Sequence, residues 1–204
     1  THLIINSPFV EPSSHWTQDE GGNFIQAEGR RNAGYMLVDP TAKSGGEFVE
    51  LKTVNEIRKR VAQWRDDGYS GATIVSKKLL EHWRDSEQRD LQFYFAQIEA
   101  IETLIWWIEA SESYKQGIKL EGDGGAWERV CSKMATGTGK TTVMAMIIAW
   151  QALNAASYPK DSRFSATIFI VTPGLTVKER LSVLYPSHPQ NYYDSFNMLP
   201  ESLR

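Results

Sequence analysis

The run MATGTGKTT, residues 134–142, constrains the fold of this chain more than any other feature. Gly137 and Gly139 are separated by one residue, and a lysine and two threonines follow them. A chain that bends tightly around an anion needs residues without a Cβ, because only these adopt the required backbone conformations easily. A strand-like stretch precedes the run and a helix-like stretch follows it. This order is typical of phosphate-binding loops, in which the positive end of the helix faces the phosphates.

Each residue type in the loop has a predicted role. Lys140 is expected to neutralise charge on the β and γ phosphate oxygens, and the Thr141 hydroxyl to coordinate Mg²⁺, so these two are the predicted catalytic residues. The predicted nucleotide contacts of the loop are Thr136, Gly137, Thr138, Gly139, Lys140, Thr141 and Thr142. Met134 departs from the general pattern, which has a glycine there. The alternative interpretation is a glycine turn that precedes a helix by chance.

Two apolar runs predict short strands near the start of the chain. HLIIN (2–6) ends in turn-forming residues, and GYMLV (34–38) is a second run of this kind. The polar stretch 11–33 between them is predicted to be irregular, with DEGGN (19–23) as a turn.

Helices are predicted after these strands. TVNE is a predicted capping box that begins a helix at Thr53, and Gly68 is a natural end for it. A shorter helix is predicted after Ser76. The longest is predicted over about 88–111, where apolar residues surround its C-terminal end and indicate burial on more than one side.

The rest of the chain has the pattern strand, loop, helix, strand. The predicted elements are a strand at WERVCSKM (127–134), a helix at KTTVMAMIIAWQALNAA (140–156) and a strand at SATIFIVT (165–172). The second strand is β-branched without polar alternation, as in a parallel strand covered on both faces. One such βαβ unit predicts an α/β fold with a parallel sheet. The loop at 117–125 is the predicted boundary between an N-terminal extension, 1–120, and a second part, 121–204.

Composition and charge narrow the class of protein. The net charge of −3 does not indicate nucleic-acid binding, although a basic face can lie within it. The adjacent Arg30 and Arg31 are expected in a solvated turn, with a phosphate or partner contact as the alternative. The single cysteine, Cys131, excludes an internal disulfide and is typical of a reducing compartment. His15 beside Trp16 has no second ligand at metal spacing. With no long apolar run or signal peptide, a cytoplasmic protein without a membrane partner is predicted.

Several motifs together resemble those of superfamily two helicase-like ATPases. ATGTGKT matches their phosphate loop, in which the position of Met134 carries Ala, Gly or Met. FYFAQIEAIETLIWWIE resembles their adenine-reading helix, and IFIVTPGLTVKERL resembles their motif Ia. INSPFVEPSSHW, EGRRNAGYMLV, LLEHWRD and NYYDSF further resemble the amino-terminal region of type III restriction endonuclease Res subunits, in the DEAD/DEAH-like branch. The resemblance extends from Ile5 to Phe196.

The resemblance implies that Gln97 reads the adenine base. An amide can pair with adenine N6 and N7 at once, which guanine cannot satisfy, so Gln97 would select ATP over GTP. Tyr94 is the aromatic residue expected beside the base, whereas Phe93 and Phe95 are expected in the core. The alternative is a solvated glutamine on an amphipathic helix.

The resemblance also implies a nucleic-acid contact at 171–181. Thr172 is expected to hydrogen-bond a phosphate, and Pro173 to end the preceding strand. Lys178 and Arg180 are further candidates, although two residues apart they do not share one helical face. The alternative is a helix N-cap followed by solvated charges.

The acidic residues of the sequence bear on whether the chain can hydrolyse ATP. Phosphoryl transfer needs an acid to hold Mg²⁺ and orient water. The acidic residues after Thr141 are Asp161, Glu179, Asp194 and Glu201, and none is paired or follows an apolar strand. We therefore expect the front part of a RecA-like motor lobe that binds ATP and Mg²⁺ but does not hydrolyse ATP alone. The resemblance implies an ATP-dependent DNA translocase of restriction–modification or related anti-phage defence, acting on double-stranded DNA, with a modification methyltransferase as a candidate partner.

Two other functions stay open. A small P-loop kinase or phosphotransferase would need an arginine-bearing lid and an acceptor site, and it would leave Gln97 without a role. A non-catalytic module would use residues 1–120 to bind DNA or a methyltransferase, with a purely structural loop at 134–142. Nucleotide preference distinguishes the kinase from the motor, and binding by residues 1–120 alone tests the module.

Overall fold

The structure is a computed structural model that describes residues 3–19, 21–37, 47–87, 89–120, 122, 124–126 and 129–204. Its strands are β1 (Ser14–Gln18), β2 (Phe24–Glu28), β3 (Gly34–Leu37) and β4 (Glu47–Glu50). Its α-helices are α1 (Lys52–Asp66), α2 (Ile74–Arg84), α3 (Phe95–Glu109), α4 (Glu112–Lys115), α5 (Lys140–Ser157), α6 (Leu175–Arg180) and α7 (Tyr192–Ser195). Short 3₁₀ helices cover Leu181–Leu184 and Glu201–Leu203.

The strands form two antiparallel hairpins, β1–β2 and β3–β4. The predicted turn at 19–23 is confirmed, because Gly22 has a φ of 78° and lies between β1 and β2. The prediction that 11–33 is irregular is wrong, since β1 and β2 lie within it. Both strands are five residues long and mostly exposed, so their side chains show little of the alternation that identifies a strand.

The two strands predicted near the start of the chain have different outcomes. β3 confirms the strand predicted at 34–38 over the part that the structure describes. The strand predicted at 2–6 is wrong, because residues 3–6 have no regular structure and Leu3 and Ile5 are exposed. Apolar residues there have no partner strand among the described residues, and apolar character without pairing does not make a strand.

The predicted helices are confirmed, and α5 begins at Lys140 as predicted, but the starts of the first three differ from the predictions. α1 begins at Lys52 after Leu51, and no side chain caps it, so the capping box predicted at Thr53 is wrong. α2 begins at Ile74 because the side chain of Thr73 accepts a hydrogen bond from the Ser76 N–H. α3 begins only at Phe95 because the preceding residue, Tyr94, is extended.

A single apolar cluster, here called the helical core, lies where α1, α2, α3 and α5 pack together. Its largest fully buried side chains are those of Trp64, Trp83, Trp106 and Trp150. The core joins residues on both sides of the loop at 117–125, and the division into 1–120 and 121–204 stays a prediction. Within the described ranges, no helix is both long enough and apolar enough to cross a bilayer.

A buried carboxylate, Glu102 of α3, links three helices of the core. It accepts hydrogen bonds from Arg65 of α1 (Nε to Oε1, 2.9 Å), from Arg84 of α2 (Nε to Oε1, 3.0 Å) and from the Tyr69 hydroxyl (3.0 Å). Burial alone would raise the pKa of Glu102, but the hydrogen bonds and charges of Arg65 and Arg84 outweigh burial and lower it. Glu102 is therefore ionised at neutral pH, with both charge partners in place.

A second buried carboxylate, Glu109 of α3, connects α5 to the rest of the core. Its Oε1 accepts from the Trp150 indole N–H at 2.6 Å and from the Ser76 hydroxyl, and its Oε2 accepts from the Thr73 N–H at 2.7 Å. Asn154 extends the network by donating to Ser76 Oγ at 3.0 Å. The helix that follows the glycine-rich loop is thus fixed to α2 and α3 by directional bonds as well as by apolar packing.

The predicted parallel sheet is not found in the part of the chain that the structure describes. Residues 129–134 and 165–172, both predicted as strands, have no strand structure, and the only ladders among the described residues are the two antiparallel hairpins. Phe169 is 90% exposed and Val171 79% exposed, contrary to the expected burial on both faces. A strand satisfies its backbone groups only through a neighbouring strand, and neither segment has one here. The mixed α/β content is confirmed, with antiparallel instead of parallel strands.

Candidate functional site

The glycine-rich loop leads directly into α5. Gly139 is the N-cap of α5 with φ 75° and ψ 45°, in the left-handed region. Gly137 also has a positive φ, 81°, although open space surrounds it, so the backbone conformation alone requires glycine there. The two predicted glycine positions are therefore the two places where the loop bends.

The start of α5 presents backbone donors outside the helix. In the described part of the chain, the N–H groups of Gly139, Lys140 and Thr141 have no protein acceptor. Unpaired N–H groups at a helix N-terminus, with the positive end of the helix dipole behind them, form an anion-binding site. The loop therefore has the donors that phosphate oxygens need.

The side chains of the loop turn back onto its own backbone. Lys140 Nζ and Thr138 Oγ1 each donate to the Ala135 carbonyl at 2.7 Å. The Lys140 ammonium thus lies at the loop while its side chain stays exposed to solvent. Thr141 is half-buried, and Thr142, the last predicted contact, is a buried residue of the first turn of α5.

Gln97 lies against the loop, as the prediction of a shared site requires. Its side-chain Nε2 donates to the Thr138 carbonyl at 3.1 Å, and its Oε1 accepts from the Tyr94 N–H at 2.9 Å. The side chain is only 5% exposed, so the interpretation of a solvated glutamine does not hold. A Cβ added to Gly139 would lie 2.1 Å from Gln97 Nε2, so glycine is needed there for close approach as well as for its φ.

Of the aromatic residues before Gln97, Tyr94 and Phe93 lie as predicted at the surface and in the core, whereas Phe95 lies outside the core. Tyr94 is 38% exposed and its ring lies 5.5 Å from that of Phe9. Phe93 is buried, and its ring stacks on Phe196. Phe95 is half-buried beneath the Arg30 guanidinium, 5.0 Å from its ring centre.

A cavity of about 560 Å³ adjoins the loop on the side of α1 and α3. Ala135 and Thr138 of the loop, Ala96 and Ala100 of α3 and the segment 129–134 contribute to its wall. Trp106 also lines it, and the buried indole N–H of this residue has no acceptor in the described part of the chain. The space lies within the usual size range of small-molecule pockets and is mostly apolar.

The residues predicted for nucleic-acid contact lie in α6 and in the turn that precedes it. Thr172 Oγ1 bonds the Gly174 carbonyl at 3.3 Å, and Gly174, not Thr172, is the N-cap of α6. Lys178 and Arg180 are exposed on α6. Among the described residues, no hydrogen bond or ion pair connects Thr172, Pro173 or these two cations to 134–142.

Sequence reasoning missed a contact between the N-terminal hairpins and α3. Arg30 is half-buried instead of solvated, and its Nη2 donates to Glu99 Oε2 at 2.6 Å. Arg58 of α1 lies 3.4 Å from the same carboxylate. Glu99 is two residues from Gln97, so the hairpins and the loop are attached to the same turn of α3. A carboxylate on the helix beside the predicted base-reading residue was the available signal, but sequence alone did not identify its partner.

The predicted metal site consists of a single protein group, the Thr141 hydroxyl. The described ranges contain no cluster of three or more His, Cys, Asp or Glu side chains suited to a metal ion. The predicted Mg²⁺ contact through the Thr141 hydroxyl stays a prediction.

Comparison with known protein families gives one match that covers about half of the chain. The family described as "Type III restriction enzyme, res subunit" matches residues 90–196, which include α3, Gln97 and the loop at the start of α5. A search of curated proteins and a search of solved structures found no match. The matched family is one of helicase-like ATPase domains. With its glycine-rich loop, Gln97 and the helices that carry them inside the matched range, this chain belongs to the family of type III restriction enzyme Res subunits.

Proposed function

We propose that the chain is the ATP-binding front part of an ATP-dependent, helicase-like DNA translocase of a restriction system. The observation that carries the proposal is the contact between Gln97 and the loop at 136–142, because it joins a base-reading group to a phosphate-binding group. Family membership supports a helicase-like ATPase in general terms. The start of a RecA-like lobe is the architecture in which these two groups would work together.

The loop has the groups that would hold a nucleoside triphosphate together with Mg²⁺. The N–H groups of Gly139, Lys140 and Thr141 would donate to phosphate oxygens, and the Lys140 ammonium would exchange the Ala135 carbonyl for them. The Thr141 hydroxyl would contact Mg²⁺, which neutralises charge on the transferred phosphoryl group. These contacts bind and orient the nucleotide.

Gln97 retains the hydrogen-bonding capacity that adenine requires. A primary amide has two N–H donors and an oxygen with two lone pairs. The Tyr94 N–H uses one lone pair of the oxygen, and the Thr138 carbonyl uses one N–H of the amide. One N–H and one lone pair remain for adenine N7 and N6, so the same side chain can hold the loop and select ATP.

Double-stranded DNA is the proposed substrate of the complete motor, and restriction–modification or related anti-phage defence is its proposed setting. Thr172, Pro173, Lys178 and Arg180 are proposed DNA contacts, supported by the exposure of the two cations on α6. A modification methyltransferase is the proposed partner subunit. We expect the 204-residue chain to bind ATP without measurable turnover.

Titration calorimetry with MgATP tests the phosphate site. We expect Lys140→Ala to abolish measurable binding, because a loop without its ammonium leaves phosphate charge uncompensated. The matched control is Lys160→Ala, which removes an exposed lysine just beyond α5 and should leave affinity unchanged. Unchanged ATP affinity in a folded Lys140→Ala protein would exclude the phosphate assignment.

Comparison of ATP with GTP tests the base site separately. Gln97→Ala should weaken both nucleotides, because the Thr138 contact is lost as well, but it should weaken ATP more. A lost bidentate base contact of about 1–3 kcal/mol predicts that the preference for ATP falls by roughly 5- to 150-fold. Equal loss for both nucleotides would show that Gln97 only positions the loop.

A further inference from the structure

We propose that the cleft between the two N-terminal hairpins binds an unpaired strand of nucleic acid. This cleft, here called the hairpin cleft, has a volume of about 640 Å³ and lies between β1–β2 and β3–β4. It contains none of the residues assigned above to the nucleotide or to motif Ia. The inference does not depend on the proposed ATPase function, and it is tested without nucleotide.

Aromatic rings line the cleft from both hairpins. In the first hairpin, Gln18 pairs with Phe24 and Trp16 with Gln26, so Trp16 and Phe24 lie on one face as diagonal neighbours. Phe24 is 69% exposed, and Trp16 is more than one-third exposed. Phe48 supplies a ring from the second hairpin. Exposed rings on a pleated surface provide stacking platforms for bases, and stacking tolerates any base because each has a π face.

The position of the Phe48 ring is set by a glycine. A Cβ on Gly34 would lie 2.3 Å from Phe48 Cζ, so any other residue there would displace the ring. The Arg31 guanidinium lies 4.5 Å from the centre of the same ring. A planar cation held against an aromatic ring keeps its donors free, and it suits a phosphate beside a stacked base.

The charge of the cleft fits a phosphate-bearing strand. Among the described residues that line it none is acidic, and two of them are Arg30 and Arg31. Arg30 is already paired with Glu99. Arg31 has no carboxylate partner in the described part of the chain and is exposed, so its charge is available to a ligand. Gln18 and Asn32 also line the cleft and provide donors and acceptors for base edges.

Contacts to the helices hold the second hairpin and the residue that connects it to the first. Buried Asn55 of α1 accepts from the Ala33 N–H at 2.7 Å and donates to Glu50 at 2.8 Å, which holds the second hairpin. Arg30, between the hairpins, is held by Glu99 of α3. An aromatic and cationic surface held in this way is suited to an extended, flexible strand. A duplex has its bases stacked inside and cannot offer them to these rings.

Fluorescence anisotropy on the whole chain tests the proposal with a labelled oligodeoxythymidylate of about 15 nucleotides, a length near the upper range of single-strand sites. A duplex of equal length is the comparison. We expect tighter binding of the single strand, and quenching of tryptophan fluorescence that is lost in Trp16→Phe. Lys140→Ala should bind the oligonucleotide like the unmodified chain, which keeps this test distinct from that of ATP binding.

Two variants separate stacking from charge. Phe24→Ala should weaken binding by roughly 5- to 150-fold, from a stacking contribution of about 1–3 kcal/mol per base, with no change in salt dependence. Arg31→Ala should reduce the slope of log affinity against log salt by about 0.7, as expected for one lost phosphate contact to a single strand. The matched controls are Tyr185→Ala and Lys59→Ala, an exposed ring and an exposed cation away from the cleft.

Several results would overturn the proposal. Unchanged oligonucleotide affinity in both Phe24→Ala and Arg31→Ala would show that the strand does not bind in the cleft. Equal or tighter binding of the duplex would exclude an unpaired strand as the ligand. If the same variants lost affinity for a protein partner but kept their affinity for the oligonucleotide, the cleft would be assigned to protein recognition instead.

Discussion

The helical core and the segment 165–172 are both rich in apolar residues, yet they differ in burial and in regular backbone structure. In the core, Trp64, Trp83, Trp106 and Trp150 are fully buried, and the carboxylates of Glu102 and Glu109 are bonded within it. In the segment, Phe169 and Val171 project into solvent and no strand forms. The difference shows what each type of element needs from its surroundings.

A helix satisfies its own backbone, whereas a strand depends on another strand. Between its first and last turns, α5 bonds its N–H and C=O groups internally, and it needs a neighbour only for its apolar side. The segment 165–172 has the composition of a buried parallel strand but no pairing partner among the described residues. The core should therefore respond strongly to single substitutions, and the segment weakly.

The largest effect is expected at Glu102. Glu102→Gln removes the charge that compensates Arg65 and Arg84, which are held against it by hydrogen bonds. Breaking a buried ion pair costs about 3–5 kcal/mol, so we expect a loss of that size in the free energy of unfolding. Urea unfolding followed by circular dichroism measures it.

The control for Glu102 is an ion pair at the surface. Glu56→Gln removes the partner of Arg60 on the exposed side of α1 and should leave the urea midpoint unchanged. Similar losses in both variants would contradict a special role for the buried carboxylate.

A smaller effect is expected from two tryptophans with different hydrogen bonding. Trp150→Phe removes the N–H that Glu109 accepts and leaves a buried carboxylate oxygen short of a donor, which costs about 1–3 kcal/mol beyond the change in packing. Trp106→Phe makes the same change in size but removes an N–H that has no acceptor in the described ranges. Unfolding experiments should find Trp150→Phe the more destabilised. The reverse order would contradict the network around Glu109.

The pH dependence of stability should identify Glu102 as well. Its pKa is lowered on folding, so its contribution is fully present above the ordinary pKa of 4.5 and is lost as pH falls through the folded value. The stability advantage of the unmodified chain over Glu102→Gln should be constant above about pH 5 and shrink below it. Urea titrations at a series of pH values measure this. If this stability advantage grew on acidification, the pKa of Glu102 would be raised on folding instead of lowered.

The smallest effect is expected in the segment 165–172. Phe169→Ser should change the free energy of unfolding by about 0.5 kcal/mol or less, because the ring makes little contact with the rest of the chain. A loss comparable to that of Trp150→Phe would mean that the segment is packed in solution, and that the contrast between the two regions does not hold.

The sequence predicted well those features that depend on local residues. The helices α1, α2 and α5 were predicted within a few residues of their observed positions. The glycines of 134–142 identified the loop, because a positive φ strongly favours glycine. Helix starts were less accurate. The helix was predicted to begin after Ser76, whereas α2 begins at Ile74 and the side chain of Thr73 caps it by accepting from the Ser76 N–H.

Features that depend on distant residues could not be predicted. The pairing of Arg30 with Glu99 joins residues 69 positions apart, and the network of Glu109 joins α2, α3 and α5. The contact of Gln97 with the loop was expected only through the family resemblance. The hydrogen bonds of Gln97 to the Tyr94 N–H and the Thr138 carbonyl could be identified only from the structure.

Hydrogen exchange with and without MgATP tests the central claim most directly, since it reports on the loop and the segment in one experiment. Binding of phosphates to the N–H groups at the start of α5 should slow exchange in 136–142 and at the beginning of α3 beside Gln97. The segment 165–172 should exchange rapidly in both conditions, and Lys140→Ala should show no protection by nucleotide. Protection elsewhere in the chain, with 136–142 unchanged at saturating MgATP, would contradict the assignment of this loop as the nucleotide site.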